Sequence, residues 1–95
     1  MKIIDIWISQ RNLKRAEQIP AMIKDLKIGK RLPPVLLIRT EDNLIQLEDG
    51  HHRLLAYWLA GREFLNYDEY LLVEKDQWKP IKGKIDLLIK HGQNG

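Results

Sequence analysis

Hydrophobic positions recur with two different periods along this chain, and the places where one period gives way to the other mark out its elements. Ile3 to Ile8 is rich in β-branched residues and is interrupted at Asp5, which predicts a first strand. Ser9-Gln10-Arg11-Asn12 breaks that run, with Ser9 or Asn12 as the cap of a short turn. Proline is accepted only in the first turn of a helix, so the main early helix starts near Pro20. Ala21, Met22, Ile23, Leu26 and Ile28 form its apolar stripe, and Gly29 ends it in the left-handed cap. Lys30-Arg31-Leu32-Pro33-Pro34 is a stiff, extended connector.

Val35-Leu36-Leu37-Ile38 is apolar on both faces, the pattern of a central strand. Glu41-Asp42-Asn43 reads as a turn and Leu44-Ile45-Gln46-Leu47 as the returning arm of a hairpin. A helix follows from about His52 to Ala60, with Leu54, Leu55, Trp58 and Leu59 on its buried face. Arg53 and Tyr57 fall on another face, four residues apart, which leaves Arg53 outside the core. Tyr70-Leu71-Leu72-Val73 is a late strand. Lys84 to His91 is a last helix carrying Ile85, Leu88 and Ile89, and residues 92–95 form a frayed tail. The whole is one α+β (mixed α/β) domain over residues 1–95.

The chain has no cysteine, which excludes disulfides, thiolate catalysis and Cys-based zinc sites and fits a cytoplasmic setting. No apolar run is long enough to cross a bilayer, so no membrane partner is expected. The net charge of +3 is unevenly placed. Seven Lys/Arg lie in residues 11–31 against Glu17 and Asp25, and nine acids lie in residues 41–76 against Arg53, Arg62 and Lys75. The basic stretch reads either as a DNA-phosphate patch built from Lys14, Arg15, Lys24, Lys27, Lys30 and Arg31, or as a solvated, lysine-rich helix face.

The densest chemistry is Glu48-Asp49-Gly50-His51-His52-Arg53-Leu54-Leu55-Ala56, where a strand passes into a helix. A helix start presents unpaired N–H donors and partial positive charge, which suits a phosphate. Gly50 permits close backbone approach, and Arg53 adds a two-pronged donor for the same anion. His51 and His52 diverge by about 100° at a helix start, so one faces a ligand while the other bonds locally. A histidine there can exchange a proton in phosphoryl transfer. Asp49 is either a helix cap or a carboxylate that holds Mg²⁺ or activates water.

The order of strand, helix with Gly29, Leu-Pro-Pro, hairpin and Asp-Gly-His-His-Arg-Leu-Leu-Ala resembles the ParB-like/sulfiredoxin-like superfamily over residues 3–74. Lys30 to Leu37 is similar to the proline-and-strand segment of partition proteins. Gly50 to Ala56 is similar to their glycine-x-arginine-arginine-x-x-alanine phosphate box. The same segment is also similar to the boxes of sulfiredoxins and of archaeal free-serine kinases. The resemblance implies a small mixed sheet with helices that binds a nucleoside triphosphate, CTP or ATP, with Mg²⁺. Gly50, His51, His52 and Arg53 would hold the phosphates and Leu32, Pro33 and Pro34 would line the site. Asp49, His51 and His52 are the candidates for chemistry, with Asp49 as metal ligand. His51 replaces the sulfiredoxin cysteine, so sulfinic acid repair is excluded. The residues beyond the resemblance are too few for a helix-turn-helix reader. The leading expectation is nucleotide binding with slow hydrolysis at most. The alternatives are a nuclease or small-molecule kinase, and a DNA- or partner-binding subunit of a partition-like or mobile-element system. Pairing into a homodimer is also expected of so short a chain.

Overall fold

The computed structural model describes residues 1–10, 13–75 and 80–92, with side chains through residue 89. The cap assigned to Asn12, the cation Arg11, Trp78 and residues 93–95 of the expected tail at 92–95 lie outside the described residues, while Gly92 is the last residue of the final helix. The elements are α1 (Ile19–Lys27), β1 (Val35–Arg39), β2 (Ile45–Asp49), α2 (His51–Leu59), β3 (Tyr70–Glu74) and α3 (Ile85–Gly92). The three strands form one mixed sheet in the order β2-β1-β3. β1 pairs antiparallel with β2, Leu37 opposite Leu47, and parallel with β3, Leu37 beside Leu72. The α+β class read from the sequence is therefore the class of the folded chain.

β1 takes the central place because it has no polar face. Val35 and Leu37 join the main core with Leu47, Leu54, Leu55 and Tyr57, while Ile38 is buried on the opposite side of the sheet. The hairpin turn closes at Asn43, whose φ of 64° is left-handed, a conformation asparagine accepts readily. The Thr40 side chain accepts the Leu44 N–H inside that turn at 3.1 Å. The first helix begins at Ile19 with proline at its start, as the sequence predicts. Its end is a two-bond cap: the Lys30 N–H reaches Asp25 O at 2.9 Å and the Gly29 N–H reaches Leu26 O at 3.2 Å.

The first segment departs from its predicted form. Ile3–Asp5 is a 3₁₀ turn, and only isolated bridges follow, with Trp7 beside Gln46 and Ile8 opposite Gly83. Ile3, Ile6 and Ile8 are all fully buried while Ile4 is 53% exposed. A continuous strand would bury alternate residues, and the turn is what brings positions 3 and 6 to the same side.

The buried arc of α2 is also rotated from the predicted one. Tyr57 is 1% exposed, whereas Leu59 is 38% exposed and Trp58 only half-buried. Around a helix Tyr57 lies about 40° from Arg53. Bringing Tyr57 inward therefore carries Arg53 to the core's edge, where its side chain is 18% exposed. Arg53 is not the free surface cation the helical period suggests.

Candidate functional site

β2 runs directly into α2 with Gly50 as the only joint. Its φ of 106° turns the chain sharply, and the glycine is buried against β1: an added Cβ would meet Val35 Cγ1 at 2.7 Å and Arg53 Nη2 at 3.2 Å. No side chain caps the helix start, so Asp49 is the last residue of β2 and not a helix cap. The Arg53 side chain folds back over this corner. Its Nη1 donates to the carbonyls of Pro33 at 3.0 Å and Pro34 at 2.8 Å, and its Nη2 donates to Asp49 Oδ2 at 3.1 Å. One guanidinium thus joins the proline connector, the strand end and the first turn of α2. A planar fork of five donors can do this and still keep donors in hand, which a lysine could not.

Both histidines bond the early chain. His51 is buried, and its Nε2 accepts the Ser9 N–H at 3.4 Å. His52 Nε2 accepts the Arg15 N–H at 3.2 Å. Each Nε2 is thus an acceptor bonded to the early chain. The pair fastens residues 9 and 15 to the start of α2. The sequence expects one of them to bond locally, and both do so through Nε2. Their adjacency still matters: neighbouring side chains at a helix start point apart, which is how they reach two points on the same passing segment.

Leu32 is half-buried and Pro33 and Pro34 are exposed beside the guanidinium. The connector and the Gly50 corner, 16 or more residues apart in the chain, therefore meet in space. The six cations expected at DNA are all exposed. Lys14 and Arg15 precede α1, Lys24 and Lys27 lie three apart on its last turns, and Lys30 and Arg31 follow it. Arg31 pairs with Asp68 at 2.8 Å and Lys30 with Asp25 at 4.0 Å. Among the described residues no group of three His, Cys, Asp or Glu is placed to hold a metal ion, and no helix is long and apolar enough to cross a membrane.

A further feature is one that the sequence does not announce. A cavity of about 190 Å³ is bounded by Leu32, Tyr57, Arg62 and Glu69, among others. Arg62 pairs with Glu69 through both carboxylate oxygens, one of them at 3.1 Å, and lies 5.5 Å from the centre of the Tyr57 ring. A pair seven residues apart in a loop has no periodic signature. Its one local hint is Arg62 directly after the helix-ending Gly61, whose φ is 92°.

Burial pushes the Tyr57 phenol above its ordinary value, with the Glu69 carboxylate adding to the rise. A raised folded-state value means that the neutral phenol is the form the fold favours. That contribution is whole below about pH 10 and is lost as the pH climbs through the folded-state value. Denaturant titrations at pH 9 and pH 11 are expected to show a smaller alkaline loss in Tyr57→Phe than in the parent chain. An equal loss in both would mean that the phenol is hydrated in the fold.

Set beside family models, curated proteins and solved structures, the chain matches none of them. What remains to assign a function is the chemistry of the corner itself.

Proposed function

We propose that this chain binds the phosphates of a nucleoside triphosphate, CTP or ATP, at the Asp49–Arg53 corner in a cytoplasmic setting. The observation that carries the reading is the position of Arg53. Its guanidinium spans the Pro33–Pro34 carbonyls and Asp49 above an uncapped helix start. This supports the reading because the two segments that resemble the partition-protein nucleotide site lie on either side of one arginine. The N–H groups of the first turn of α2 have no partner within the helix, and their dipoles favour an anion at the same place as Arg53.

Mg²⁺ would arrive with the triphosphate and meet Asp49. That ion is commonly held by one or two carboxylates plus substrate phosphates, so a single exposed carboxylate suffices. Gly50, His51 and His52 would contribute through their backbone, since each imidazole bonds the early chain through Nε2. Slow hydrolysis would then depend on Asp49 and not on a histidine.

The test is a thermal-shift panel with CTP, ATP, GTP, UTP and inorganic triphosphate, each with and without Mg²⁺. A ligand at ten times its Kd adds about 1.4 kcal/mol, enough to raise the Tm of a domain of this size by several degrees. A rise with nucleotides but not with inorganic triphosphate would show that base or sugar is read as well. No rise with any nucleoside triphosphate at millimolar concentration would overturn the proposal.

A further inference from the structure

The cavity bounded by Tyr57 and the Arg62–Glu69 pair holds a donor that the fold does not use. Tyr57 is 1% exposed, and among the described residues its hydroxyl makes no hydrogen bond. Besides burial itself, the charges that act on that oxygen are those of Glu69, Arg62, Asp68 and Arg53, and the first three line the cavity. The hydroxyl end of the ring is therefore the part that faces it. A buried hydroxyl without a partner is costly, which marks the place as one where a polar molecule belongs.

The surrounding charges decide what kind of molecule. Lys30, Arg31 and Arg62 bring three positive charges against the two negative charges of Asp68 and Glu69. Both acids are already matched. Glu69 accepts two bonds from Arg62 and a third from the Asn66 N–H at 2.7 Å, and Asp68 pairs with Arg31 at 2.8 Å. Lys30 has a 4.0 Å contact with Asp25, and its side chain is 67% exposed. Arg62 uses three of its five N–H donors, on Glu69 and on the Phe64 carbonyl. The surplus is thus of positive charge and of donors, with no lining carboxylate left over for a ligand's cation. The neutral phenol adds one more donor.

Part of the wall is apolar, since the half-buried Leu26 and Leu32 line it as well. The volume of about 190 Å³ equals that of about six liquid waters, room for a molecule of roughly six to nine non-hydrogen atoms. We propose that this cavity binds a small organic carboxylate, with its acid group on the Tyr57 hydroxyl and the spare Arg62 donors and its apolar part against Leu26 and Leu32. Inorganic phosphate would answer the charges but leave both leucines without a partner. The proposal does not rest on nucleotide binding, which belongs to the Gly50 corner.

Two-dimensional proton–nitrogen spectra of the full chain, titrated with butyrate and with benzoate at constant ionic strength, test it. Saturable shifts are expected at Leu32, Tyr57 and the Arg62 side chain, with a Kd of about 1–10 mM, the range open to so few atoms. Butanol, which is neutral, and inorganic phosphate should each bind at least about tenfold more weakly. Tyr57→Phe keeps the ring and loses the hydroxyl, and it should weaken carboxylate binding by about tenfold. Lys30→Gln changes an exposed side chain that the fold does not need, and it should weaken binding by about twofold to threefold. The dispersion of each variant's spectrum checks that its fold survives. No saturable shift with either carboxylate at about 50 mM would overturn the proposal. So would shifts confined to Gly50–Arg53, butanol or phosphate binding as tightly as the carboxylates, or an affinity unchanged in Tyr57→Phe.

Discussion

Gly50→Ala is expected to destabilise the chain by about 2–5 kcal/mol, a large part of what a domain of this size has to lose. Two separate effects add at this position. The backbone sits at φ 106°, which a residue with a Cβ adopts only under strain of about 1–2 kcal/mol. The new Cβ would also fall 2.7 Å from Val35 Cγ1 and 3.0 Å from Val35 Cβ, inside any real contact. Val35 is fully buried in the central strand and has no room to withdraw, which adds about 1–3 kcal/mol of overpacking.

Gly29→Ala separates the two effects. Gly29 has φ 86°, but nothing lies within 4 Å of its Cβ position, so only the strain of about 1–2 kcal/mol applies. Urea titration of both variants should place the Gly50 change well below the Gly29 change. Equal losses would mean that β1 and the corner separate easily, and that close approach at Gly50 is not part of the fold. A Gly50→Ala/Val35→Ala double variant should recover part of the Gly50 loss, since the two atoms in conflict share one space.

Arg53→Ala is expected to abolish nucleotide-dependent thermal stabilisation and to lower intrinsic stability by about 1–3 kcal/mol. The stability loss comes from the connector. Two carbonyls that the guanidinium holds at 3.0 and 2.8 Å return to water, and the Pro33–Pro34 segment loses its anchor to α2. The bond to Asp49 contributes little, about 0–1 kcal/mol, because that carboxylate is 75% exposed. Asp49→Asn should therefore leave the melting temperature of the free chain nearly unchanged. Under the proposed function it should weaken binding only when Mg²⁺ is present.

Arg53→Lys should not restore the parent behaviour. An ammonium is a point charge and cannot span two carbonyls and a carboxylate at once. Calorimetry with the nucleotide that gives the largest thermal shift is the deciding measurement. Full affinity retained in Arg53→Ala would place the phosphates elsewhere and limit the arginine to fastening the connector.

Much of the architecture was legible along the chain because it depends on neighbours in sequence. The proline at the start of α1, the left-handed Gly29 at its end and the doubly apolar Val35–Ile38 strand are all local matters of backbone freedom and side-chain alternation. So are the Glu41–Asn43 turn and the placing of Gly50 between strand and helix. The first segment reads as a strand because Ile3, Ile6 and Ile8 are equally apolar in a strand or a turn. Bonds to distant segments decide its path, among them those of Ile3 with Glu63, Trp7 with Ile45 and Leu47, and Ile8 with Gly83.

Composition and local pattern alone determined that this is a small α+β domain without thiol chemistry, and that its polar residues concentrate where β2 meets α2. Tertiary packing decided what those residues do. It rotated α2 until Tyr57 was buried and Arg53 came to the rim, and it set the proline carbonyls under the guanidinium. It also brought the early backbone within reach of both histidines. Local geometry is set by a few dihedral angles of adjacent residues, whereas the partner of a long polar side chain depends on which distant segment the core brings beside it.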